Sequence, residues 1–505
     1  MRKWTTTALL LFAVGASAGA PEPAEDLPAD RLLRSISLDL RGVVPADDEL
    51  AAVEQSGELD PETIDAYLQS PAFTEQVVQH HESITWSRLR LQGFLNTQLL
   101  ARRGDVWFRP QLSRRIRGER EACSDYPAGI AAGEEVTEWR TVDGVKDEGW
   151  VEVRPYWAPD TVLKVCAFDA QAVAVGNRGN ECDGPAARAD TACGCGPELN
   201  WCVTGALRNQ IVAGLSADVS QQVRHLINTD APYASLLTSK ATMVNGPLAH
   251  FYRHLAPLNA NYSSPIELDS LPTFDSLDPN DWRVAERTAE HSGILTSAGW
   301  LLRHQTDRGR ANRFYGGFLC RQFIPAETGI GGLEQGTPTP DLTLRTGCRD
   351  CHVRLEGWSA YWGRWQPSGS AFLDADSYPK INDECRECAI SGARCSLECR
   401  RNYVSTETHP DERAYLGWMS PYAFLEGDQL EHPDIGPAGW VDEAVADGSL
   451  AQCAATNAAE WLLGPDTAVD EAEHAAWTQA FVDSGYQYRA LVRAIVQSDQ
   501  YRRVR

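Results

Sequence analysis

Methionine and positive charge are both scarce. The 505-residue chain has 3 Met, and its 46 Lys and Arg are outnumbered by 70 Asp and Glu, leaving a net charge of -24. That acidic excess opposes non-specific binding to nucleic acid or to an anionic membrane surface, because both carry charge of the same sign. Beyond the N-terminus no apolar run approaches the roughly 20 residues needed to cross a bilayer. A Walker loop, a dinucleotide fingerprint, an EF-hand loop and a repeat of fixed period are also missing. Nucleotide-loop enzymes and solenoids are therefore not expected. What is present is 43% hydrophobic residues and 16 Trp, the composition of a folded chain, and a length suited to several domains.

Arg2 and Lys3 precede a short apolar run, Ala8 to Val14, and then the small residues Ala16 to Ala20. This is the order of a secretory signal peptide, with cleavage after Ala18 or Ala20. The stretch is too short for a membrane anchor. The expected compartment is periplasmic or extracellular. Gly15-Ala16-Ser17-Ala18-Gly19 spells the G-x-S-x-G hydrolase elbow, but it lies in the segment to be removed and lacks a strand-turn-helix setting.

The pattern along the chain predicts a mainly α, helical multi-domain protein with a disulfide-rich, β-containing insert. After the signal peptide (1–20), residues 21–104 form an N-terminal helical domain, in which Leu32, Leu33, Ile36 and Leu40 recur at helical intervals up to about Ala101. In 105–207 Pro, Gly and Cys multiply, and the segments from Trp139 and Trp150 alternate as strands do. Residues 208–341 form a central helical domain, with an amphipathic helix from Gln210 to Asn228 and a helical tract from Trp282 to Leu319. A Cys-rich region follows at 342–438. A C-terminal helical region closes the chain at 439–505, broken at Ser484-Gly485.

The chain holds 14 Cys, which in an oxidising compartment become disulfides. Cys348-Arg-Asp-Cys351-His352 stands apart: two thiols one helical turn apart, followed at once by an imidazole, form the c-type haem attachment motif. Capture of two vinyl groups fixes the macrocycle against one turn, and His352 then lies beneath the iron as proximal ligand. If Cys348 and Cys351 are consumed by haem, the other twelve suffice for six disulfides. The alternatives are a local disulfide, or zinc shared with Cys385 and Cys388. Zinc needs reduced thiolates, which an oxidising compartment disfavours.

A sixth iron ligand is sought among few residues. Met419, in Trp418-Met-Ser-Pro-Tyr, lies at an interval from His352 similar to that in small soluble cytochromes c, and Met243 and His304 are the other candidates. Core filling is the competing role for Met419. Trp358, Tyr361, Trp362, Trp365 and Trp418 supply either a haem wall or an ordinary core. His250 and His254 sit one helical turn apart without the Glu of a metalloprotease motif, and His80-His81 read as a helix-face pair. Cys385-Arg-Glu-Cys388 is expected in a structural disulfide.

The chain resembles the cytochrome c-like proteins of planctomycetes and myxobacteria, families of exported domains around a C-x-x-C-H. The resemblance is carried in order by Leu33 to Pro45, Pro232 to Thr238 with Met243 to Ala249, Gly293 to Thr296, Arg308-Gly-Arg310, Cys320 to Pro325, Phe481 to Tyr486 and Leu491 to Tyr501. It departs after the motif, where Val353 to Trp358 lacks the family's Asp-Pro. The resemblance implies haem binding and electron transfer outside the cytoplasm, with no established substrate. Three roles stay open: a one-electron carrier with haem c and an unidentified redox partner protein, a haem oxidoreductase with an open distal site, and a disulfide-rich scaffold without haem.

Overall fold

The computed structural model describes residues 26–88, 91, 98–118, 121–323 and 338–504. The signal-peptide reading of residues 1–20 falls outside them. The chain is mainly α-helical, with its strands gathered in small sheets. Among the described residues no helix is long and apolar enough to cross a membrane.

Four helices open the chain: Ala29–Arg41, Asp47–Ser56, Pro61–Leu68 and Pro71–Thr85. Their ends follow local chemistry. Ser70 Oγ accepts from the Phe73 N–H, and Pro71 occupies the first helical position, where a missing N–H costs nothing. Gly42 adopts φ 71° and donates back to the Leu38 carbonyl, closing the first helix. The helical reading holds to Thr85 and fails near Ala101: Gln98–Leu99 and Ala101–Arg103 are strands, the first paired in parallel with Cys202–Val203. Its partner lies more than 100 positions away, so no local period could announce it.

The helix Gly205–Thr229 is the longest of these elements and extends the one read from the sequence. Val219, Val223, Leu226 and Ile227 pack with the N-terminal helices, while Leu207, Ile211, Val212 and Leu215 pack into a second cluster beside the insert. Polar ties reinforce its fit to Pro71–Thr85: Ser220 Oγ donates to Glu82 at 2.8 Å, and Arg224 grips both oxygens of Glu75. The C-terminal helices Ser449–Leu463, Glu471–Asp483 and Tyr488–Val496 complete the same core. Arg489 donates to the carbonyls of Leu68 and Ile227, at the C-terminal ends of two helices, at 3.0 and 2.7 Å. Leu491, Val492 and Ile495 are fully buried there.

Trp282 does not start a helix. Arg283–Glu286 is a strand antiparallel to Ala241–Val244, and after a 3-10 turn at Gly293–Thr296 α-helix resumes at Ala298–Arg303 and Asp307–Phe318. The insert contains a four-stranded sheet in the order Ala101–Arg103, Val106–Phe108, Leu163–Cys166, Trp150–Val153. Disulfides Cys123–Cys166, Cys182–Cys193 and Cys195–Cys202 staple it. At its centre Asp169 takes Arg109 at 2.8 Å and Arg117 at 3.0 Å. Burial opposes ionisation of Asp169, but the two guanidinium groups override it and hold the carboxyl below its ordinary range. The remaining disulfides are Cys320–Cys453, Cys385–Cys399 and Cys388–Cys395, giving six in all.

Candidate haem-attachment site

The C-x-x-C-H segment opens the helix Arg349–Ser359. A tight turn leads into it: Asp341 Oδ1 accepts from the Thr343 N–H at 2.8 Å, and the Arg345 N–H reaches the Asp341 carbonyl. Gly347 has φ 76°, a conformation that a side chain disfavours, and so allows the chain to swing into the helix. Cys348 is the cap residue, and its carbonyl accepts from His352 N–H at 3.1 Å. Cys348, Cys351 and His352 therefore share the first turn, where three- and four-residue spacings lie on one face.

All three are half-buried. Cys348 and Cys351 are the two free cysteines of the chain, every other one being in a disulfide. The apolar side of the helix is set by Leu355 and by Trp358, whose ring stacks 5.0 Å from Trp440. A Cβ at Gly357 would meet Gln429 Nε2 at 2.8 Å, so a side chain there would have to displace the Gln429 amide. Arg349, Asp350, Val353 and Arg354 face solvent, as isolated charges by default do.

His352 is held by a residue the sequence reading did not single out. Its Nδ1 is hydrogen-bonded to Glu356 Oε1 one turn on. Glu356 in turn receives Arg308 through Nε at 2.7 Å and Nη2 at 2.9 Å. The hydrogen bond to Glu356 raises the Arg308 guanidinium above its ordinary value. Glu four positions after His was a readable signal, because such residues are neighbours on a helix face. In the sequence Arg308 stands out only within the Arg308-Gly-Arg310 likeness; its contact with Glu356 spans two helices and needs the tertiary fold.

A cavity of about 430 Å³ adjoins this helix, with Asp307, Arg308, Glu356, Met419 and Phe424 in its wall. Burial pushes the Asp307 carboxyl up to about 6, although Arg310 beside it works in the opposite direction. Met419 is 1% exposed and packs with Leu373, Cys385, Cys399, Tyr403 and Tyr422. The other sixth-ligand candidates point elsewhere. Met243 sits in a strand opposite Val284, and His304 places Nε2 3.3 Å from the Thr85 carbonyl with its ring against Trp300. Neither is in the cavity wall.

The remaining candidates are structural. Trp362 and Trp365 are buried in the main helical core, where Trp362 Nε1 donates to the Leu295 carbonyl. His250 stacks on Tyr156 of the insert at 3.8 Å and is 5.0 Å from His254, on a short π-helical stretch. His80 stacks on Trp461; its neighbour His81, read as part of a helix-face pair, is fully buried and bonded to Tyr233. Zinc shared with Cys385 and Cys388 is ruled out by their disulfides, since both sulfurs are already consumed. Cys123, Glu148 and Cys166 also cluster, but the two cysteines are bonded to each other and Glu148 pairs with Arg117.

The residues at the motif fit a covalently attached haem, with two unpaired thiols in one turn and an adjacent imidazole with one nitrogen engaged; the cavity is reached by Glu356 one turn further along the helix, and Cys348, Cys351 and His352 are not in its wall. Comparison with protein-family models, with curated proteins and with solved structures finds no match to this chain.

Proposed function

We propose that this chain is an exported c-type haem protein that transfers single electrons at the cell envelope. The observation that carries this reading is selective pairing: twelve cysteines are oxidised in six disulfides, and the two left free are those of C-x-x-C-H. Six disulfides suit the oxidising compartment in which c-type haem is attached. In this reading Cys348 and Cys351 hold the macrocycle by thioether bonds, and His352 Nε2 is the proximal ligand. Met419 is the sixth-ligand candidate, and the redox partner is a protein.

Haem supplies a one-electron iron couple whose potential depends on axial ligands, hydrogen bonding and burial. The chain's own residues orient His352 through Glu356, present a half-buried first turn, and line a neighbouring cavity with Met419 and Phe424. A second reading is favoured by the packing of Met419 among Cys385, Cys399 and Tyr403. There the methionine is core, and the cavity is the open distal site of a haem oxidoreductase.

The test is production in an exporting host with active cytochrome maturation, read by a pyridine haemochrome spectrum beside a known cytochrome as control. About one covalent haem per chain is expected. A colourless, folded product beside a red control overturns the reading and leaves a disulfide scaffold.

A further inference from the structure

Glu356 and Arg308 form a fixed chain of contacts behind His352. A carboxylate oxygen is the acceptor in the His352–Glu356 contact, so its hydrogen resides on Nδ1, and in the neutral ring that can ligate a metal Nε2 then carries the lone pair. Arg308 holds both oxygens of Glu356, which removes the freedom of a single-contact carboxylate. The clamp has a rigid base. Arg308 is in the first turn of Asp307–Phe318, capped by Thr306 Oγ1, and two residues later Arg310 is fully buried, donating to the carbonyls of His304, Trp365 and Gln366. That helix packs along Arg349–Ser359.

We propose that Glu356, set in place by Arg308, is a positioning residue that fixes the tautomer and plane of His352 and lowers the reduction potential of the attached haem. The proposal rests on the haem reading above. A carboxylate acceptor at Nδ1 draws the N–H proton toward itself and makes the ring a stronger donor at Nε2, which favours the oxidised metal. Arg308 moderates this, because its positive charge weakens the acceptor. A helix-stabilising pair with no bearing on the iron is the competing account, and it predicts no opposed shifts from the two partners.

The experiment compares wild type, Glu356→Gln and Arg308→Gln, all exported and matured as full chains. Each is scored for haem per chain and for midpoint potential by redox titration. Haem content is expected to stay the same. Glu356→Gln should favour the reduced form about tenfold, or about 59 mV for a one-electron couple, and Arg308→Gln should shift the potential the opposite way. In haem-free protein from a host without maturation, the histidine ¹⁵N shifts should show His352 protonated at Nδ1, assigned by its absence in His352→Ala. Red protein with unchanged potentials, or with both variants shifted in the same direction, overturns the proposal alone. Protonation at Nε2 overturns it too. A colourless wild type beside a red control overturns the haem reading and this proposal with it. If Glu356→Gln does not fold, the direction of the Arg308→Gln shift decides.

Discussion

Two C-x-x-C segments share a spacing and a place near the start of a helix, yet end in opposite states. Cys385 and Cys388 lie on Asp383–Ser391, against which Leu397–Asn402 folds back to bring Cys399 and Cys395 within bonding reach. Cys348 and Cys351 start a helix whose packed side is Leu355 and Trp358, with no cysteine opposite. The spacing is equal; the facing element differs. A pair of thiols one turn apart is a structural staple where a second helix supplies partners, and stays free where none does.

Removing each pair in turn should break the comparison most sharply. Cys348→Ala with Cys351→Ala should abolish covalent haem entirely, seen as a loss of haem stain on a denaturing gel, while the melting temperature of the haem-free chain stays unchanged. Loss of its fold would mean that these cysteines are structural after all. Cys385→Ser with Cys399→Ser should leave haem attachment intact and cost about 3 kcal/mol in urea unfolding, the loop-closure value for a ring near 15 residues.

The imidazoles extend the contrast. His352 is half-buried, whereas His81 is sealed, and burial pulls the His81 pKa from 6.5 to about 4. Between those values the unfolded chain binds a proton that the folded chain refuses, so stability is full above about pH 6.5 and falls as pH drops toward 4. At pH 5 the loss from His81 is about 2 kcal/mol. His81→Gln should flatten that limb of a stability-versus-pH curve measured by urea unfolding; an unchanged limb would mean that other groups dominate it. The smallest effect on the fold is expected from Met419→Leu, under about 1.5 kcal/mol as a volume-conserving core change. If Met419 ligates iron, the same variant lowers the potential and changes the absorption of the reduced protein. If it is core, both stay as they were, and the open-site reading gains.

The sequence was legible where signals are local. Helix boundaries at Ser70-Pro71 and Ser484-Gly485, the helix from Gln210 and the motif at Cys348 all rest on groups a few residues apart. It was illegible where partners are distant. Arg283–Glu286 is a strand because Ala241–Val244 lies beside it, and Cys320 bonds Cys453 across 133 positions. On the sequence Met419 is preferred over Met243 and His304 for its interval from His352, and only the packing shows that of the three it is Met419 that lies in the cavity wall.

By itself, then, the sequence determined the acidic balance, the mainly helical class and a thiol-thiol-imidazole triplet confined to one turn, because each depends on composition or on neighbours along the backbone. The tertiary structure decided which cysteines find partners and which side chains hold His352. Those outcomes depend on what folds opposite, and a one-dimensional spacing carries no information about the facing surface.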